Sequence, residues 1–224
     1  MRSALAEYSI ELIGGSVKII WKLWIGLKMR YFFDCEFIED GQTIDLISIG
    51  IVCEDGREYY AINKDCDFSK ASDWVEENVL NPIGLSRDWG ANIQVQNASP
   101  NTLNSYMQMK IKYAIAIDVV AFMNGASIPP VSTSEGRANH SLKEGHDKPE
   151  IWAYYADYDW VAFCQLFGTM MDLPKGFPMY CRDVKQWCDM LGNPKLPTQG
   201  LGEHNALNDA RWTKMAWEFL RDFK

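Results

Sequence analysis

The 224-residue sequence has no Cys-x-x-Cys pair and only three histidines, which argues against a zinc ribbon or a zinc finger. Its six cysteines lie mostly within apolar stretches, so we expect reduced thiols in a cytoplasmic protein. Basic residues are also scarce, since 22 Lys and Arg stand against 30 Asp and Glu for a formal net charge of -8. This balance excludes a broad basic surface that would bind nucleic acid or anionic lipid nonspecifically.

The sequence also lacks an uninterrupted hydrophobic run of the length that crosses a membrane. Residues 10–27 are mostly apolar, but Lys18 and Lys22 within them each cost about 2.5 to 3.5 kcal/mol at the centre of a bilayer. The segment has no small-residue cleavage site of a secretory signal. We therefore expect no membrane span.

Residues 1–28 leave two interpretations open. As a helix, the segment would gather Glu11, Lys18 and Lys22 on one face and would form an amphipathic N-terminal extension. Alternatively, Met29 is the natural start, because it leads directly into a strand-like run, and residues 1–28 are a start-site artefact. We favour the second interpretation, in which residues 29–224 form the functional domain.

From residue 31 onward the hydrophobic pattern indicates a single α/β domain, a mixed sheet of about five strands flanked by helices. Short turns join the first three strands, so we expect these to be antiparallel neighbours. The predicted strands are residues 31–38, 44–54, 57–62, 151–155 and 179–182. The predicted helices are residues 72–80, 103–124, 158–171, 183–191 and 206–223.

A pair of carboxylates lies in the first of these strands. Residues two apart in a strand share a face, so Asp34 and Glu36 should project together while Phe33, Cys35 and Phe37 point to the other side. Inside an apolar strand this pair is costly unless a cation neutralises it, and hard oxygen ligands suit Mg²⁺ or Mn²⁺. Taken alone, the pattern is better explained as an exposed acidic pair at a strand end.

Two later aspartates change this balance. Asp159 and Asp209 each lie on the apolar stripe of a predicted helix, so both should be buried. A buried carboxylate needs a partner, and a metal cluster shared with the first pair would satisfy both aspartates. Asp157 immediately precedes its helix and is predicted to be an N-cap. Asp118, on another helical stripe, is interpreted as structural.

His204 is the candidate general base. Five helical residues turn the chain by about 500°, so His204 and Asp209 converge only if His204 lies in the loop before the last helix. Pro197, Gly200 and Gly202 favour such a loop. An imidazole with an ordinary pKa of about 6.5 suits the removal of a proton from an attacking water.

At these positions the sequence resembles the DEDDh 3′→5′ exonucleases, the DnaQ-like branch of the ribonuclease H-like superfamily. The matches arrive in the family's order over residues 29–224: Asp34 and Glu36, then Tyr158-Asp159, then His204 with Asp209. The segments 32–37, 47–50, 152–156 and 203–207 also look like the small exoribonucleases of actinobacteria and phages. The residues before the second motif depart from the usual pattern and leave Asp157 as a rival to Asp159, although the aromatic Tyr158 favours Asp159.

The resemblance implies a ribonuclease H-like fold and a hydrolase that uses two divalent metal ions, Mg²⁺ or Mn²⁺. His204 would be its general base, and nucleoside monophosphates would leave from an RNA 3′ end that is single-stranded or an overhang. Phe37 and Asn205 are candidates for substrate contacts, and for Phe37 the strand parity favours core packing at least equally. A homodimer is common in the family. The implied metal ligands are Asp34, Glu36, Asp159 and Asp209.

Three alternatives stay open at this point. The substrate could be a DNA 3′ end, since nothing in the sequence shows a contact to a 2′-hydroxyl. The chain could be a catalytically silent nucleic-acid-binding module, which the presence of all five candidate catalytic side chains argues against. It could also be a metal-dependent phosphodiesterase that acts on a small nucleotide.

Overall fold

The fold was examined in a computed structural model, which describes residues 6–13, 16–23, 29–89, 99–125, 142 and 148–223. At the N-terminus, β1 (Ala6–Ile13) and β2 (Ser16–Leu23) pair as antiparallel strands. The less favoured interpretation of this segment, an amphipathic helix, is therefore wrong, and the interpretation that Met29 is the natural start stays a prediction. The sequence gives a physical reason for strands in place of a helix. The pair Gly14-Gly15 disfavours a helix and is a strong signal for a two-residue hairpin connection.

A separate six-stranded mixed sheet forms the centre of the molecule, which agrees with the predicted α/β, ribonuclease H-like architecture. Its strand order is β6-β5-β4-β3-β7-β8. Within this sheet, β3, β4 and β5 pair as antiparallel neighbours. The other neighbouring pairs, β5 with β6, β3 with β7 and β7 with β8, are parallel. The strands are β3 (Arg30–Glu39), β4 (Ile44–Cys53), β5 (Glu58–Asn63), β6 (Met109–Lys110), β7 (Glu150–Ala153) and β8 (Arg182–Asp183).

Most predicted helices are present, with shifted ends. The helix α1 (Asp73–Val75) begins after the capping hydroxyl of Ser72 and continues as a π-helical turn through Glu76–Leu80. The remaining helices are α2 (Pro100–Gln108), α3 (Lys112–Met123), α4 (Asp157–Gln165), α5 (Val184–Met190) and α6 (Ala206–Asp222). None of the described helices is both long and apolar enough to cross a bilayer.

The prediction of one helix over residues 103–124 is wrong, because the chain breaks it at Met109–Lys110. These two residues pair with Ile62 and Asn63 of β5 and extend the sheet. The next helix then starts with the Lys112 N–H bonded to the Asp65 carboxylate at 2.8 Å. Pairing with a distant strand therefore overrides a continuous local helix pattern.

The alternation of side chains along β3 assigns one layer of helices to each face of the sheet. Phe33 and Cys35 pack into a core with α3 and α4, whereas Phe32 packs on the other face against α5 and α6. Asp34 and Glu36 share the parity of Phe32. The fold therefore presents both carboxylates on the face covered by α6.

Candidate active site

Asp34 and Glu36 lie at the centre of the site. Both are half-buried, and they lie two residues apart on the face of β3 that α6 covers. Burial is the largest cause that raises the pKa of Glu36 to about 8, and the nearby Asp209 and Asp159 charges add to it. Burial likewise raises the pKa of Asp34 well above its ordinary value, together with the charges of Asp159, Glu36 and Asp209. The pair is thus costly to ionise without a cation.

Asp159 extends from α4 to the same site, beside the part of β3 that lies beyond its pairing with β7. The parallel neighbour β7 pairs only with Arg30–Phe32, and within the described ranges no other strand pairs with the later part of β3 on that side. The Cys35 N–H donates instead to Asp159 Oδ1 at 2.8 Å, and the Asp159 side chain is buried. Burial raises the pKa of Asp159 to about 7 even though the Cys35 N–H opposes this shift.

Asp157, the rival for the second motif, lies at the surface. It is exposed and is the first helical residue of α4. The N-cap is Ala156, which makes no side-chain cap, so the prediction that Asp157 is an N-cap is wrong. The structure therefore places Asp159, and not Asp157, beside Asp34.

His204 and Asp209 converge as the loop prediction requires. The Asn205 side chain caps α6 by accepting the Asn208 N–H at 3.3 Å, so His204 lies in the loop just before the helix. His204 adopts a left-handed backbone with φ 63°, and its N–H donates to Asp209 Oδ2 at 2.9 Å. The Gln199 amide donates to the other Asp209 oxygen.

The pKa of Asp209 is raised by burial, while the hydrogen bond from the His204 N–H partly offsets this. Gln199 was not singled out from the sequence. Its place in a loop ten residues before Asp209 carries no periodic signal that could have found it.

A close contact between α6 and the sheet holds this third segment against the first. Gly50 of β4 is the register partner of Asp34. A Cβ on Gly50 would lie 2.4 Å from the carbonyl carbon and oxygen of Ala206, the first residue of α6. Only glycine therefore lets the start of α6 sit directly on the strand pair that carries the carboxylates.

Asp34, His204 and Asp209 line an open cleft of about 130 Å³. Candidate ligand atoms of Glu36, His204 and Asp209 all lie within 4.8 Å of one another. Among the residues that the structure describes, no Lys or Arg forms an ion pair with any of the four carboxylates. The cleft is lined by Asp34, Tyr154, Gln199, Glu203, His204, Asp209, Trp212 and Thr213.

This donor set fits a divalent cation. Four carboxylates have raised pKa values, chiefly because they are removed from water, and the described Lys and Arg side chains form no ion pair with them. Hard carboxylate oxygens are the ligands that Mg²⁺ and Mn²⁺ prefer.

The other singled-out residues have structural contacts. Phe37 is partly buried against the core, and its ring centroid lies 5.8 Å from that of the exposed Tyr158. The Asn205 carboxamide oxygen is engaged in capping α6. Asp118 is buried, pairs with Lys110 at 2.5 Å and accepts from the Tyr59 hydroxyl at 3.3 Å, which confirms its structural interpretation.

Comparison with known proteins identifies the family. The model of the 3′-5′ exoribonuclease Rv2179c-like domain matches residues 29–221. The chain belongs to this family. It is accordingly a 3′-5′ exoribonuclease, a hydrolase of phosphodiester bonds, which confirms the resemblance found in the sequence.

Two curated members of the family come from strains of Mycobacterium tuberculosis. They are the 3′-5′ exoribonuclease Rv2179c of strain ATCC 25618 / H37Rv and the 3′-5′ exoribonuclease MT2234.1 of strain CDC 1551 / Oshkosh. Each is 36% identical to this chain over 185 residues, which cover 82% of this chain and 88% of the relative. The similarity thus extends over nearly the whole length of both relatives.

Proposed function

We propose that this chain removes nucleoside monophosphates one at a time from the 3′ end of RNA, by hydrolysis that depends on two divalent cations, Mg²⁺ or Mn²⁺. One observation carries the proposal. Three segments far apart in the sequence bring four desolvated carboxylates and one imidazole together, and Asp34, Asp209 and His204 among them line an open cleft.

The four carboxylates would hold the cations. Asp34 would be the central ligand of this set, because the charges of all three other carboxylates act on it. When bound, divalent ions in such a site stabilise negative charge on the scissile phosphate and on the departing 3′ oxygen. The ligand set would be Asp34, Glu36, Asp159 and Asp209.

His204 would act as the general base. A nitrogen of its imidazole lies within 4.8 Å of a carboxylate oxygen of Glu36 and of Asp209. The imidazole would accept a proton from the water that attacks phosphorus. The bond between phosphorus and the 3′ oxygen of the penultimate nucleotide then breaks, and that oxygen takes up a proton. The products are a nucleoside 5′-monophosphate and an RNA shorter by one residue with a free 3′-hydroxyl.

The cleft suits a single-stranded 3′ end or a short overhang. The half-buried rings of Tyr154 and Trp212 line it, and their centroids lie 4.8 Å apart in an edge-to-face contact. Aromatic rings of this kind stack on bases irrespective of sequence. Engagement of the last nucleotides alone is compatible with a net charge of -8, since it needs no broad basic surface.

The test is a digestion of 5′-labelled RNA and DNA of the same sequence, as single strands and as duplexes with 3′ tails, with Mg²⁺, Mn²⁺ or a chelator. We expect a ladder of RNA shortened from the 3′ end, with mononucleotide release and no product in the chelator. Asp34→Asn and His204→Ala should each lower the rate by about 100-fold or more. Asp88→Asn is a matched control, because Asp88 is exposed and outside the cleft.

The outcomes separate the alternatives. Faster digestion of DNA than of RNA would identify a DNA exonuclease. Binding of RNA without shortening would identify a silent module. An Asp34→Asn variant with full activity would overturn the proposed role of the carboxylates.

A further inference from the structure

The exposed side chain of Trp74 contacts the imidazole of His204, although the two residues are far apart in the sequence. Their ring centroids lie 4.8 Å apart and the ring planes meet at 77°, an edge-to-face geometry. Trp74 lies in the first turn of α1 and is 54% exposed. A tryptophan of this exposure gains little from burial, so its contact with the proposed base calls for a functional reason.

The backbone of His204 is fixed, whereas its ring is not held by a hydrogen bond. The main-chain N–H is bonded to Asp209, and the left-handed φ of 63° sets the direction of the side chain. Within the part of the chain that the structure describes, no hydrogen bond reaches either imidazole nitrogen. A general base usually has such a partner to set its ring orientation. The contact recorded for the His204 ring is instead the edge-to-face contact with Trp74.

Trp74 itself is mounted on an anchored element. The Ser72 hydroxyl caps α1 by accepting the Val75 N–H at 3.2 Å. One turn later, Glu76 pairs with Arg87 at 2.9 Å. The backbone that carries the indole is therefore held by contacts that do not involve His204.

We propose that Trp74 is a positioning residue for His204, which it restrains in the rotamer that faces Glu36 and Asp209. This inference rests on the proposed function, because it requires His204 to be the general base. Without the indole, the imidazole can rotate about both side-chain torsions, and only a fraction of molecules hold it ready to accept a proton. The loss is therefore in turnover and not in RNA binding.

The test measures kcat and KM separately for Trp74→Ala, Trp74→Phe, His204→Ala and the double variant with both alanines. For Trp74→Ala we expect a decrease in kcat of about 10-fold with KM within about 2-fold of the wild type, a part of the contribution of a general base. Trp74→Phe should restore most of the rate, because a smaller aromatic ring keeps the edge-to-face contact. In the double variant, loss of Trp74 should cost nothing beyond the loss of His204.

Tyr106→Ala is the matched control. Tyr106 is also 54% exposed and lies on α2, outside the cleft lining. We expect its kcat and KM to equal those of the wild type. Thermal unfolding midpoints of all variants check that each is folded.

Several outcomes would overturn the inference. A rise in KM at unchanged kcat would show that Trp74 contacts the substrate instead, and independent, multiplicative losses in the double variant would show that it does not act through His204. If His204→Ala is inactive while Trp74→Ala is fully active, only the positioning role fails. If His204→Ala keeps the full rate, the general-base assignment itself fails.

Discussion

Asp159 shows how one carboxylate in the site depends on both the sheet and a helix. Its Oδ1 accepts the Cys35 N–H of β3, and its charge acts on the neighbouring Asp34. Asp157, two residues earlier on the same helix, is exposed and has neither contact. The two aspartates therefore make a natural pair for testing the second motif.

We expect Asp159→Asn to lower exonuclease activity by about 100-fold or more, because it removes a charge needed to hold a cation while keeping the oxygen that accepts the Cys35 N–H. Asp157→Asn should stay within about 2-fold of the wild type, since surface substitutions away from a site have small effects. Steady-state digestion of single-stranded RNA measures both. Equal losses in the two variants would contradict the assignment of Asp159.

The carboxylates and the histidine could be predicted because their signals are local. Strand parity paired Asp34 with Glu36, and an apolar helical stripe marked Asp159 and Asp209 as buried. The structure buries Asp159 and leaves Asp209 half-buried. Trp74 could not be found in this way, because only the folded chain brings the first turn of α1 against the loop that carries His204.

At the scale of elements, the contact between β4 and α6 determines whether the third segment reaches the first. The predicted boundaries of α6 were nearly right, but the closeness of its approach followed from Gly50, whose role depends on the distant backbone of Ala206. The same kind of long-range pairing broke the predicted helix at Met109–Lys110. Sequence patterns give elements well and their tertiary contacts poorly.

We expect Gly50→Ala to destabilise the protein by about 1 to 3 kcal/mol, because the new methyl group forces α6 away from the sheet. The displacement moves His204 and Asp209 from the carboxylates of β3, so activity should fall as well. Gly200→Ala is the matched control, since a Cβ there meets no atom within 4 Å. Urea unfolding and RNA digestion measure the two effects. Wild-type stability in Gly50→Ala would contradict the close-packing account.

For the whole molecule, ionisation of the partly buried carboxylates in the site is unfavourable, and the free energy of unfolding should therefore depend on pH. Glu36 titrates at about 8 in the folded protein against an ordinary value of 4.5, so the folded state binds more protons than the unfolded state between these values. The free energy of unfolding therefore falls as the pH rises through this window, and Asp159 acts in the same direction with its pKa of about 7.

We expect the thermal midpoint of metal-free protein to fall as the pH rises from about 5 to about 8, and Mn²⁺ to raise it more at the higher pH, where the carboxylates are ionised. Glu36→Gln should flatten the pH dependence, because it removes a group that titrates in this range. Differential scanning calorimetry in a chelator and in Mn²⁺ provides the measurement. A midpoint of the metal-free wild type that rises with pH would contradict the expectation.

One contact of Asp159 also stabilises the backbone of β3. A buried amide N–H without a hydrogen-bond partner costs about 1 to 3 kcal/mol. The pairing of β7 with β3 ends at Phe32, and the buried Cys35 N–H beyond that point donates to Asp159 Oδ1. The group proposed as a metal ligand therefore also satisfies a main-chain donor of the strand that carries the other carboxylates.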